Sequence, residues 1–204
     1  EHQPDLIEVD AHWTSDGAVI LWHDDALEFG GRRLRIARSS LAELRAVRFE
    51  DGSRLLTLEE AMGLVDDRSG LLVDLKAPSL ETGILEARRR TNFKTLMVCG
   101  GYWNTLRAIK SSDPSVGISF TPGPLETVFD GRLVRAPFWD ALTVHWRTVT
   151  PAFLEQSHAR AVRVIAWTVD DVDRMRALLR LGVDGITTNR IETLFKLELQ
   201  GRTP

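Results

Sequence analysis

Short apolar, β-branched runs recur along the chain at 6–11, 19–23, 71–76, 95–99, 116–120, 141–146, 162–169 and 185–188, and helical patterns separate most of them. Each run has the length of a strand. Start and stop signals frame several helical stretches. Ser40-Leu41-Ala42-Glu43 and Thr57-Leu58-Glu59-Glu60 are capping boxes, with a carboxylate three residues after a hydroxyl. Thr150-Pro151 opens a helix over 151–160 with proline at the first helical position, and the pattern over 172–181 stops at Gly182. Strand, helix, strand at this rhythm predicts βαβ units and a parallel sheet.

The strands also predict how that sheet is closed. In the run 6–11 one face reads Leu6, Glu8, Asp10 and the other Ile7, Val9, Ala11. In 71–76 one face reads Leu72, Asp74, Lys76 and the other Leu71, Val73, Leu75. One face is apolar throughout, while the other turns charged toward its C-terminal end. An open doubly wound sheet buries both faces. A closed barrel has helices outside and a functional mouth at the C-terminal strand ends, so the pattern favours an α/β fold of the TIM-type (β/α) barrel kind. The segment 12–17 between the first two runs is too short for a crossover helix and is either a hairpin or an extended return. Residues 24–56, with Gly30-Gly31 and Asp51-Gly52 turns and a short helix, read as an insertion over the barrel mouth within a single domain spanning 1–204.

Composition narrows the function. The 204 residues are 43% hydrophobic and 27% charged, an ordinary globular balance. A formal net charge of −3 leaves no basic surplus for nucleic acid and no polybasic patch for an anionic membrane. No apolar run approaches the ~20 residues of a membrane span, and no stable membrane insertion is expected; the expected location is cytoplasmic. Cys99 is the single cysteine, which excludes an intrachain disulfide framework and a cysteine-based zinc site. The chain starts at Glu1, and 1–5 reads as a loop running into a strand, which suggests a chain entered in mid-fold.

The candidate chemistry lies on the charged strand faces. Glu8 and Asp10, two apart on a strand, point the same way and repel unless a cation sits between them. A hard divalent ion, Mg2+ or Ca2+, is the natural partner, with Asp74 as a third ligand from another strand and Lys76 beside it. His23 ends a strand and is followed by Asp24, which places an imidazole for acid–base work. Together these residues suggest metal-assisted phosphoryl chemistry. Taken singly each has a plainer reading: salt-bridged carboxylates at Glu8 and Asp10, a structural histidine at His23, an ion pair between Asp74 and Lys76. Most of the six tryptophans read as packing residues, but Trp13 and Trp167 fall near the predicted mouth. Both suit stacking on glycerol or a cationic head group. By alternation His12 and His145 face inward, toward the same pocket.

These residues also carry a resemblance. The stretch 7–17 (IEVDAHWTSDG) followed by 19–24 (VILWHD) resembles the glycerophosphodiester phosphodiesterase family, in which an E-x-D pair, a T-x-D-G turn and a strand ending in H-D follow in this order and spacing. Residues 56–65 are similar to the family's next helix, and Asp74-Leu75-Lys76 falls where the family has E-x-K. Ala166-Trp167-Thr168-Val169-Asp170 resembles its W-T-V-N strand, and 182–190 its final G-V-D-G-I-x-T-D segment. The resemblance covers almost the whole chain. It implies a TIM-type barrel that hydrolyses glycerophosphodiesters to glycerol 3-phosphate and an alcohol, with a divalent metal on Glu8, Asp10 and Asp74. It implies His23 as one of two catalytic histidines, and Lys76 steadying phosphate charge. In the implied reaction a glycerol hydroxyl attacks phosphorus, the alcohol leaves, and water opens the cyclic phosphate. Lys76, Trp167 and His145 are the expected substrate contacts.

Three departures accompany the match. The family opens with a strand ending in H-R and a helix beginning E-N-T; neither has a counterpart here, and His2, in the loop before the E-x-D strand, is no substitute. The expectation is therefore a barrel lacking its first β-α unit as given, inactive in that form. Asp74 replaces a Glu, and Asn189 replaces an Asp. Two other readings use the same barrel: a lysophospholipase D-type enzyme, and an inactive barrel that binds a phosphodiester or a partner protein.

Overall fold

The computed structural model describes residues 3–123 and 138–201; His2 lies outside them. The chain's contacts gather into two compact units, one of them Asp5–Gly117 and the other built mainly from Ile118–Pro204.

The first unit begins with β1 (Leu6–Trp13) and β2 (Val19–Leu21), which pair antiparallel with Ala11 opposite Leu21. The 12–17 segment is thus a hairpin. Thr14 N–H donates to the Ala18 carbonyl, Thr14 Oγ1 donates to Asp16, and Gly17 supplies the positive φ of +83° that closes the turn. Residues 24–56 follow, with the hairpin β3 (Ala26–Phe29) and β4 (Arg32–Arg35), a 3₁₀ turn Ile36–Arg38 and the short helix α1 (Leu41–Arg45). Leu27, Ile36, Leu44, Val47 and Leu55 close on Ile20 of β2, all buried, with Trp22 and Phe49 stacked beside them. Residues 24–56 therefore contribute apolar side chains to a cluster that includes Ile20 of β2.

Helix α2 (Leu58–Val65) leads into β5 (Gly70–Leu75), α3 (Glu81–Thr91), β6 (Leu96–Gly100) and α4 (Trp103–Ser112). Both predicted capping boxes form, Ser40 with Glu43 and Thr57 with Glu60. β1 pairs parallel with β5, and β5 parallel with β6. Leu71, Val73 and Leu75 are buried, and all of β6 is buried, as expected of parallel strands covered by helices. Gly70 opens β5 opposite Leu6. A Cβ there would fall 2.5 Å from a Leu6 methyl and 2.8 Å from the Thr95 carbonyl oxygen, so this register requires glycine.

In the second unit, β7 (Gly117–Phe120), β8 (Ala141–His145), β9 (Arg163–Trp167) and β10 (Gly185–Ile186) pair parallel in that order. Helices α5 (Pro151–His158) and α6 (Val172–Leu181) connect them, and α7 (Ile191–Gly201) follows. Pro151 takes the first helical position of α5, and Gly182 ends α6 at φ +85°. Among the described residues, no helix is long and apolar enough to cross a membrane.

Candidate active site

The register of β1 on β5 builds the site. Asp10 lies directly beside Asp74, and Glu8 stands two residues back on the same face of β1. Carboxylate oxygens of Glu8, Asp10 and Asp74 all lie within 4.8 Å of one another. Lys76, two residues after Asp74, reaches both partners: its Nζ is 2.6 Å from Asp74 Oδ2 and 2.9 Å from Asp10 Oδ1. Its backbone is fixed from two sides. Lys76 N–H donates to the Ala11 carbonyl, and the Tyr102 hydroxyl donates to the Lys76 carbonyl.

Three carboxylates share one ammonium, and the surplus negative charge falls on Glu8. Its pKa is pushed up to about 7, first by loss of water around the carboxyl and then by repulsion from Asp10 and Asp74, although the residue as a whole remains accessible. Burial works against the Lys76 charge, but the hydrogen bonds to Asp74 and Asp10 outweigh it and hold the ammonium above its usual pKa. Cys99 lies beside Asp74 on β6; burial, then the charges of Asp74 and Glu8, push its thiol well up, so it stays protonated. The donor set is all hard oxygen, converging and short of positive charge. That is the chemistry a divalent ion of the Mg2+ or Ca2+ type satisfies, and the residues fit it. The ion pair of Asp74 with Lys76, weighed as an alternative to metal ligation, is present together with the convergence.

His23 follows β2. Its side chain is 73% exposed, and its Nδ1 lies 2.8 Å from Asp24 Oδ1. Two features hold its backbone in line with β1: Trp22 N–H donates to the Asp10 carbonyl, and the His12 ring Nε2 lies 3.3 Å from the His23 carbonyl. His12 is buried, and its ring contacts the backbone of His23. The sequence marked Asp24 only as the residue after His23; its contact with the imidazole needed the structure.

His145 and Trp167 end neighbouring strands of the second unit. They meet edge to face, with ring centroids 5.4 Å apart. Trp13 donates its indole N–H to the Pro78 carbonyl, a packing role. Asn189 donates its backbone N–H and its Nδ2 to the carboxylate of Asp170 at 2.8 and 3.0 Å. Where the family motifs carry Asn and then Asp, this chain has Asp and then Asn, and the two bond to each other.

The first unit thus carries a carboxylate trio and a lysine at the ends of parallel strands of an α/β scaffold. The family model for the glycerophosphoryl diester phosphodiesterase family matches residues 1–193, and the chain belongs to that family. It is 26% identical over 216 residues to the glycerophosphodiester phosphodiesterase of Caldanaerobacter subterraneus subsp. tengcongensis, covering 97% of this chain and 87% of that protein. It is 29% identical to the probable glycerophosphodiester phosphodiesterase 2 of Mycobacterium tuberculosis, covering 92% and 77%. An Oleispira antarctica phosphodiesterase, solved in complex with the product sn-glycerol-3-phosphate, superposes with a TM-score of 0.82 at 19% identity, covering 95% of this chain and 85% of that one. The fold class is accordingly α/β, of the TIM-type barrel kind.

Proposed function

We propose that the protein is a divalent-metal-dependent phosphodiesterase that hydrolyses glycerophosphodiesters to glycerol 3-phosphate and an alcohol. The observation that carries this reading is the convergence of Glu8, Asp10 and Asp74 within 4.8 Å beside a lysine, in a chain of this family. The three carboxylates would hold the ion, Mg2+ or Ca2+. When bound, the ion supplies charge neutralisation at the phosphate oxygens. Lys76 adds a second positive charge at the same place, and its raised pKa keeps that charge at any working pH. His23 moves a proton. Asp24 occupies its Nδ1, which leaves Nε2 to take a proton from an attacking hydroxyl or to deliver one to the departing alcohol. Trp167 and His145 contact the substrate's organic part in this reading.

The test is hydrolysis of glycerophosphocholine and glycerophosphoethanolamine with Mg2+, with Ca2+ and with excess chelator. Metal-dependent release of glycerol 3-phosphate is expected on this reading, against the inactivity expected of the sequence as given, and Asp10→Asn should abolish it while the far-UV circular dichroism is kept. Full turnover in excess chelator contradicts the proposal.

A further inference from the structure

The carboxylates and the lysine of the candidate site stand toward the C-terminal ends of β1 and β5. At the opposite end of the same unit, a cavity of about 580 Å³ lies between the C-terminal ends of α3 and α4. Leu85 and Arg89, four apart, share one face of α3 and line it. Asn92, which caps α3 at φ +54°, lines it too. The buried Phe93 and the exposed Lys94 join from the link into β6, and Asp113 from the end of α4.

Arg88 builds this wall and is used up in doing so. Its Nε donates to the Phe93 carbonyl at 3.0 Å and its Nη2 to the Lys94 carbonyl at 3.1 Å, while Nη1 donates to Ser115 Oγ and to the Asp113 carboxylate. One guanidinium thus ties the end of α3, the link into β6 and the end of α4 into a single frame. The same ion pair cancels the charge of Asp113, the one carboxylate among the described residues that line the cavity.

Two cations remain. Arg89 and Lys94 are exposed, and among the described residues neither side chain has a hydrogen bond or an ion pair. Acids close in the sequence are directed elsewhere: Glu86 pairs with Arg90, and Asp67 accepts the Lys94 backbone N–H. A lone cation on a surface needs no partner. These two come from different segments of one cross-tied frame, and they line one cavity of small-molecule size that also has an apolar wall.

We propose that this cavity binds a small organic anion charged at both ends, with Arg89 and Lys94 taking the two charges and Leu85 and Phe93 taking the carbon skeleton. Two like charges on a fixed frame favour a ligand charged at two points over a monoanion, and the apolar wall favours an organic ligand over an inorganic ion. The charged ends are carboxylates or phosphoryl groups, since a guanidinium and an ammonium pair with either. The site shares no residue with the carboxylate trio and needs no metal, so its test stands apart from the hydrolytic reading.

The experiment titrates the 15N-labelled full chain in excess chelator and follows the backbone amide resonances of Asn92, Phe93, Lys94, Ser112 and Asp113. Succinate, 3-phosphoglycerate, acetate, inorganic phosphate and sodium chloride are added in turn at matched ionic strength. Saturable shifts at these amides are expected with succinate or 3-phosphoglycerate, at a Kd about tenfold or more below that for acetate. Tighter binding of succinate would support the site with a dicarboxylate as ligand, and tighter binding of 3-phosphoglycerate would support it with a phosphorylated one. The Kd should rise about tenfold or more in Arg89→Gln and in Lys94→Gln, each the loss of one charge-assisted contact. Both side chains are exposed, so neither substitution disturbs the core. Absent shifts, equal shifts with chloride, acetate or inorganic phosphate binding as tightly as the two organic probes, or an unchanged Kd in either variant would each overturn the proposal.

Discussion

At Glu8, on the proposed reading, a proton and a cation would compete for the same carboxyl. Its pKa in the folded chain is about 7, against an ordinary value of 4.5. Between those values the folded state binds more protons than the unfolded one, so without metal stability falls as pH rises from about 4.5 to about 7. A saturating divalent ion displaces the proton and should cancel that fall. Melting temperatures from pH 4 to 8 in chelator, for the native sequence and Glu8→Gln, check this. The native chain should lose ground to the variant as pH rises through the window; parallel profiles would show that Glu8 carries no such strain. At His23 the expectation is kinetic. His23→Ala should lower turnover by ~10²–10⁴-fold, the usual size of a general acid–base contribution. Metal affinity, read by calorimetry, should hardly change, and a large loss there would make the imidazole a ligand. At Asp170, hydrogen bonds from Asn189 and Thr188 hold the carboxyl below the usual range. Asn189→Asp alone sets two carboxylates against each other and should lower the melting temperature. Adding Asp170→Asn should restore it, since the exchanged pair bonds equally well; additive losses would refute the pairing.

Among the elements, the T-x-D-G turn does more than reverse the chain. Asp16 accepts from the Leu41 backbone N–H at 3.0 and 3.2 Å, so the hairpin between β1 and β2 caps α1 from outside. Thr14, then Leu41, hold the Asp16 carboxyl below its ordinary pKa. Asp16→Ala should loosen residues 24–56 while leaving β1 and β5 intact. Hydrogen exchange should show faster amides over 26–56 and unchanged ones in β5; uniform acceleration would contradict a local role. Much of this level could be read beforehand. Alternation put Glu8 with Asp10 and Asp74 with Lys76, hydroxyl–carboxylate spacing announced the capping boxes, and Gly182 announced the end of α6. What stayed hidden was contact without periodicity. The His12 ring meets a carbonyl eleven residues away, and Arg174 meets Trp146 twenty-eight residues away, and no spacing rule encodes either. The nature of the 12–17 link was open for a related reason: its length fits a hairpin and an extended return equally, and backbone bonds chose between them.

For the molecule as a whole, an ion held only by the folded chain adds RT ln(1 + [ion]/Kd) to stability, ~2.7 kcal/mol at a hundredfold excess over Kd. Asp74→Ala should remove most of that gain in thermal melts, while Asp74→Glu, longer by one methylene, should keep it. An undiminished metal-induced shift in Asp74→Ala would take Asp74 out of the site. The pairing of β1 with β5 has a wider consequence. Asp10 meets Asp74 because Leu6 meets Gly70, and strand side chains alternate with period two. A slip of β1 by one residue would turn Glu8 and Asp10 to the opposite side and leave Asp74 and Lys76 without them. Nothing between the two pairings offers a half-built trio of carboxylates. Divalent-ion binding at the proposed site would therefore be a yes-or-no report on whether two strands more than sixty residues apart have found each other in the right frame, and during refolding it should appear only once that frame is locked.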